Sequence, residues 1–201
     1  MLSAIGLNCT LKRNDEESST GLLLARIGEA FKTHGVSFES VRVAPLNVLP
    51  GVTSDEGPGD DWPALRRRIL EADILVLGTP IWMGQPGSVA KRVVERMDAF
   101  LSETDDQGRM PSYGRVACVA VVGNEDGAHH VAAEMFQALN DVGFSLAANA
   151  MTYWVGEAMQ KVDYKDRDPP PEKTANATAM MIRNAVHLAT QLRRAEYPGK
   201  T

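Results

Sequence analysis

Apolar positions along the chain fall into two rhythms. Residues 2–7 (LSAIGL), 73–79 (DILVLGT) and 115–122 (RVACVAVV) are short, nearly continuous apolar runs, the pattern of strands buried on both faces. Residues 36–44 (VSFESVRVA) alternate apolar and polar, which predicts a less completely covered strand, and 144–150 (FSLAANA) reads as a weaker fifth. Between them apolar residues recur at helical spacing. Leu23, Ile27, Ala30 and Phe31 mark a helix over about 20–34 that Gly35 ends. Asp60, Asp61 and Pro63 start another that runs to about Ala72. Val89, Val93, Met97, Phe100 and Leu101 mark one over about 86–102, and Val131, Met135, Leu139 and Val142 one over about 128–142, capped by Gly143. Met181, Ala185, Leu188 and Leu192 mark the last, over about 173–194.

Strands alternating with helices imply right-handed crossovers and a parallel sheet covered on both faces. The expectation is a single α/β domain over 1–201, a three-layer, flavodoxin-like five-stranded sheet of order 2-1-3-4-5. Two stretches lack any period. Residues 45–60 (PLNVLPGVTSDEGPGD) hold three prolines and three glycines, and a loop of this length in a compact domain is functional or disordered. Residues 151–172 carry Tyr153, Trp154, Tyr164 and a Pro169-Pro170-Pro171 run, and read as an irregular, aromatic-rich segment.

Composition removes several functions. A formal net charge of −5 gives no electrostatic reason to expect nucleic acid. Two cysteines are too few for a disulfide framework or a four-thiolate cluster. No apolar stretch reaches membrane-spanning length, and the first residues lack a signal-like pattern. The default setting is therefore a reducing cytoplasm. The Arg66-Arg67-Arg68 triplet spreads round its helix and reads as a solvated face.

In this strand order a ligand lies over the carboxyl ends of the first, third and fourth strands. The first end leads through a polar loop to Ser18-Ser19-Thr20 at a helix start. Free N–H groups and hydroxyls there suit a phosphate, or simply cap the helix. The second end, Thr79 to Gly84, expels Trp82 and Met83 into a Gly/Pro-rich loop, where they suit a flat ring system or fill a core gap. The third, GNEDGAHH, places two glycines around polar residues at another helix start. No dinucleotide-binding G-x-G-x-x-G follows the first strand, and no phosphate-loop or nucleophile-elbow motif occurs. Cys9 is either a thiol activated by a helix terminus or a small buried residue. His130 and Glu134 are one turn apart, without an evident third metal ligand.

Three loops in this order resemble the NADPH-dependent FMN reductase-like branch of the flavodoxin superfamily. GTPIWMGQPGSVAKRVVERMD and VVGNEDGAHHVAAEMFQALNDVGF carry the likeness most specifically. In the first loop this chain departs from it: Asn8-Cys9 replaces a Gly-Ser pair, the loop is longer, and Ser19 stands where Asn is usual. The resemblance implies FMN bound without a covalent link. Thr10, Lys12, Ser18, Ser19 and Thr20 would hold its phosphate. Pro80, Ile81, Trp82, Met83 and Gly84 would line its ring, and Gly123, Asn124, Glu125 and Gly127 would close the other side. It further implies hydride transfer from NADH or NADPH through the flavin to a small-molecule electron acceptor such as a flavin or quinone, with the aromatic-rich 151–172 segment a candidate to shape the acceptor pocket or reach a neighbouring subunit. The family's habit of building sites at subunit interfaces implies a homodimer or homotetramer. A flavodoxin-like electron carrier and a flavin-free interaction module on the same fold are the alternative readings.

Overall fold

A computed structural model of the chain describes residues 1–200. Five long strands form one parallel sheet: β1 (Ser3–Asn8), β2 (Ser37–Arg42), β3 (Ile74–Trp82), β5 (Val116–Val122) and β6 (Ser145–Trp154). A two-residue strand, β4 (Gln85–Pro86), pairs antiparallel with the end of β3. The order is β2-β1-β3-β5-β6, the flavodoxin-like arrangement.

The apolar runs follow from this position. In β3, Leu75 and Leu77 point to one face while Ile74 and Val76 point to the other. In β5, Ala117, Val119 and Val121 alternate with Val116, Cys118, Ala120 and Val122 in the same way. Both central strands are wet on neither side, so neither needs polar alternation. Helices α2 (Trp62–Glu71), α3 (Ser88–Arg96) and α4 (Ala128–Asp141) cover the first face. Helices α1 (Ser19–Thr33) and α5 (Glu172–Arg194) cover the second. Edge strand β2 keeps most of its side chains at least partly exposed.

Three elements depart from the sequence reading. Strand β3 does not stop at Thr79-Pro80 but continues to Trp82. Strand β6 runs on to Trp154, past an irregularity in its pairing with β5 between Ala117 and Val119. The third helix is shorter, and its last turn tightens into a 3-10 turn over Met97–Leu101.

The 45–60 loop is ordered by a buried ion pair. Arg96, fully buried on α3, donates to the Leu49 carbonyl at 2.8 Å and the Asp60 carboxylate at 2.8 Å, and to the Thr53 carbonyl through two nitrogens. Asp60 also accepts from the amides of Leu49, Glu56 and Trp62. Burial alone would raise this carboxyl's pKa, but the Arg96 and amide hydrogen bonds outweigh it and hold the pKa well below the usual range. The basic triplet is a partly solvated face, with Arg66 paired to Glu103 and Arg68 to Glu39.

Candidate functional site

The carboxyl ends of β1, β3 and β5 open into a cleft of about 220 Å³. It is built by three loops and by part of the aromatic-rich 151–172 segment.

The first loop leaves β1 and enters α1. Ser18 has extended geometry and its Oγ accepts from the Gly21 N–H at 3.0 Å, so it is the N-cap. Asn8 braces the turn: Nδ2 donates to Ser18 Oγ at 3.4 Å, and Oδ1 accepts from the Thr10 N–H at 3.2 Å. Arg42, at the end of β2, fastens the loop from outside through the carbonyls of Lys12, Asn14 and Glu16. First-turn amides have no intrahelical acceptor, and those of Ser19 and Thr20 have no other partner among the described residues. The Thr20 hydroxyl, on a side chain only 2% exposed, lines the cleft and likewise makes no hydrogen bond. Thr10 lines it too, its Oγ1 accepting from the Lys12 N–H. Lys12 borders the cleft, but its ammonium is turned to its own loop, donating to the Glu17 carbonyl at 2.8 Å.

The second loop is a hairpin, not an irregular turn. Ile81 pairs with Pro86 and Trp82 with Gln85. Met83 (φ 53°) and Gly84 (φ 73°) form its tip, and positive φ at both central residues is what a two-residue turn between twisted strands demands. Alternation along the strand then assigns the side chains. Ile81 is 3% exposed and packs into the core beneath α3 and α4, while Trp82 is 52% exposed. Trp82 therefore does not fill a core gap. Pro80, Ile81 and Trp82 all line the cleft.

The third loop meets that hairpin. The Met83 N–H donates to Glu125 Oε1 at 3.1 Å. Gly127 (φ 125°) lies against Gly84, where an added Cβ would come within 3.0 Å of backbone atoms, so only glycine fits. A Cβ at Gly123 would press on Ile81 at the same distance. Gly123, Asn124 and Glu125 line the cleft. Met83, Gly84 and Gly127 do not, because they form the joint between hairpin and third loop.

The fourth segment, which the sequence offered as a wall of the acceptor pocket without naming its residues, is a strap that follows β6. Trp154 ends the strand, and its ring lies 5.7 Å from that of Tyr164, which is 1% exposed. The Arg26 guanidinium stacks over Tyr164 at 4.8 Å and donates to the Arg167 carbonyl at 2.6 Å. The Lys165 N–H donates to Ser19 Oγ at 3.2 Å, so the strap crosses the start of α1. Trp154, Asp163, Tyr164 and Lys165 all line the cleft. The only available signal was the cluster of aromatics in a segment without a period.

The thiols take no part. Cys9 and Cys118 are fully buried, and burial pushes both upward, Cys118 to about 12. The activated-thiol reading of Cys9 fails, since the sheet encloses it. His130 binds Gln85 at 3.2 Å and Glu134 at 2.9 Å, and His129 packs edge-on against Tyr153. Among the described residues, no helix is long and apolar enough to cross a membrane.

Residues 4–160 match the NADPH-dependent FMN reductase family. The chain belongs to that family. It is 32% identical to the 8-demethyl-8-aminoriboflavin-5'-phosphate synthase of Streptomyces davaonensis, over 98% of this chain and 80% of that protein. A crystal structure of RosB with bound 8-demethyl-8-formylriboflavin-5'-phosphate superposes with a TM-score of 0.87 at 33% identity, covering 98% of this chain and 82% of that one. The flavoenzyme FerB of Paracoccus denitrificans, an NAD(P)H:(acceptor) oxidoreductase, shares the fold, with a TM-score of 0.60 at 13% identity over 98% and 99% of the two chains. The chain is also 37% identical to the divalent metal cation transporter MntH of Mycobacterium bovis, but spans only 29% of that protein's length.

Proposed function

We propose that this protein binds FMN without a covalent link and carries hydride from NADH or NADPH through it to a small-molecule acceptor such as a flavin or quinone. The observation that supports the reading most is a juxtaposition in one cleft. Unpaired donors at the start of α1, a half-exposed indole on the β3–β4 hairpin and Gly123 at the end of β5 all line it.

The site passes the chemical test for such a group. The Ser19 and Thr20 amides and the Thr10 and Thr20 hydroxyls are donors suited to phosphate oxygens, aided by the positive end of the helix dipole. Trp82 and Pro80 offer flat apolar surface to a ring. The Gly123–Glu125 backbone offers polar groups to the ring's edge, and buried Trp154 walls the cleft beneath the strap. When bound, the flavin supplies the redox chemistry, while the protein orients it and excludes competing reactions. No side-chain acid or base is required. Met83, Gly84 and Gly127 act by fixing the joint between hairpin and third loop, and Ile81 lines the cleft from the hairpin's inner side.

A second reading treats the flavin as the substrate. The likeness to an aminoriboflavin-phosphate synthase across nearly the whole chain favours it. One experiment separates the two. Protein loaded with FMN is cycled with NADPH and a quinone, and the released flavin is weighed by mass spectrometry. Sustained NADPH consumption with unchanged FMN supports the oxidoreductase. An altered flavin mass supports the second reading, and neither result supports an electron carrier.

Assembly into a homodimer or homotetramer in the cytoplasm belongs to the same proposal. The exposed side of β6 supports it, with an apolar groove walled by Phe136, Leu146, Met151 and Met180. Sedimentation at micromolar concentration tests the assembly; a monomer would remove it.

A further inference from the structure

We propose that Lys165, on the strap after β6, is the positive charge that holds the flavin's 5'-phosphate and so makes the site prefer FMN over unphosphorylated riboflavin. The inference rests on the flavin reading above.

A phosphate monoester carries between one and two negative charges at neutral pH. The donors at the start of α1 are neutral, so a cation beside them adds selectivity for the charged ligand. Two basic side chains line the cleft, Lys12 and Lys165. Lys12 is committed to its own loop, through the Glu17 carbonyl at 2.8 Å and the Glu16 carboxylate at 3.7 Å. Arg42, just outside the cleft, is bound to three carbonyls of that loop.

Lys165 is placed differently. Its backbone is tied to Ser19 at the first turn of α1, and its neighbour Tyr164 is locked between Trp154 and Arg26. The residue's backbone is therefore held beside the free amides by contacts that do not use its ammonium. Its ammonium pairs with Asp166 at 3.2 Å, where both side chains are partly exposed. A partly exposed pair of that kind contributes little, so a phosphate can take Asp166's place. Asp163 and Glu17 stand nearby and keep the region from being strongly basic without a ligand. Lys165 itself lies past residue 160, where the match to the family ends.

The test is a titration of FMN and of riboflavin into wild type, Lys165→Ala, Lys165→Arg and Lys12→Ala, followed by flavin fluorescence at low and high salt. Lys165→Ala is expected to weaken FMN about tenfold while changing riboflavin less than about twofold, and to flatten the salt dependence of FMN binding. Lys165→Arg should recover most of the loss, and Lys12→Ala should weaken FMN less than Lys165→Ala does. Equal weakening of both flavins by Lys165→Ala would show a packing role and overturn the inference. So would an unchanged FMN affinity, a larger loss from Lys12→Ala, or a wild type that binds riboflavin as tightly as FMN; these three leave flavin binding itself standing. A wild type that binds neither flavin overturns the parent reading and this inference with it.

Discussion

Residues 45–60 and the strap over 155–171 are the two long stretches without a repeating pattern, and they are held in opposite ways. The first closes around one fully buried guanidinium, with Asp60 and carbonyls of Leu49 and Thr53 satisfying Arg96. None of its residues lines the cleft. The second is pinned by a single buried ring, Tyr164, and by hydrogen bonds at the surface, and four of the cleft's lining residues come from it and the strand end before it. A segment locked by an internal charge pair holds the scaffold together. One laid across the surface on a few anchors can shape a site and move with what occupies it.

Removing Arg96 should produce the largest effect. Arg96→Ala leaves the Asp60 carboxylate buried without its partner, and a loss of about 3–5 kcal/mol is expected in chemical denaturation. New proteolytic cleavage between 45 and 60 should accompany it, with the strap intact. A loss below about 1 kcal/mol would mean that the loop is held by other contacts. Acid sharpens the same point. Asp60 has a depressed folded pKa, so its contribution is present above the unfolded value of about 3.9 and is lost as pH falls through and below it. Stability measured from pH 6 down to 3 should fall in wild type and fall less steeply in Asp60→Asn; parallel curves would remove Asp60 from the account.

Tyr164→Ala addresses the other stretch. Its effect should be local, with faster amide exchange over 155–171, unchanged protection in β5, and a global loss smaller than that of Arg96→Ala. If β5 loses protection too, the strap is part of the core and the contrast fails. Trp82→Ala should change stability by no more than about 0.5 kcal/mol, since the indole is half exposed. It should weaken FMN and riboflavin alike, by about tenfold, because a ring contact is indifferent to the phosphate. A large stability loss would restore the reading of Trp82 as core filling.

The central strands were legible because burial on both faces writes itself as unbroken apolar runs, and the helices because their inner faces repeat at 3.6 residues. The hairpin was not. Thr79-Pro80 reads as a stop, yet Pro80 sits in the strand where the sheet ends, and its carbonyl still accepts from Gly87. The turn depends on Met83 adopting positive φ, which nothing in a methionine announces. Strand β6 was cut short because Asn149, at φ 56°, interrupts its alternation. Loop residues Thr10, Ser18, Ser19 and Thr20 line the cleft where their local cap chemistry put them, whereas the strap was legible only as an aromatic-rich segment, because Tyr164 and Lys165 reach the cleft through contacts with Arg26 and Ser19, more than a hundred residues earlier. Arg96 had no local signal either, being one more basic residue on an amphipathic helix.

The most direct test of the cleft as a flavin-reducing site is the visible absorption of FMN with the purified protein, before and after anaerobic addition of NADPH. The account predicts a shifted flavin band on mixing, absent in Trp82→Ala at the same concentrations, and bleaching of that band by NADPH. An FMN spectrum unaltered by stoichiometric protein, and not bleached by NADPH or NADH, would contradict it.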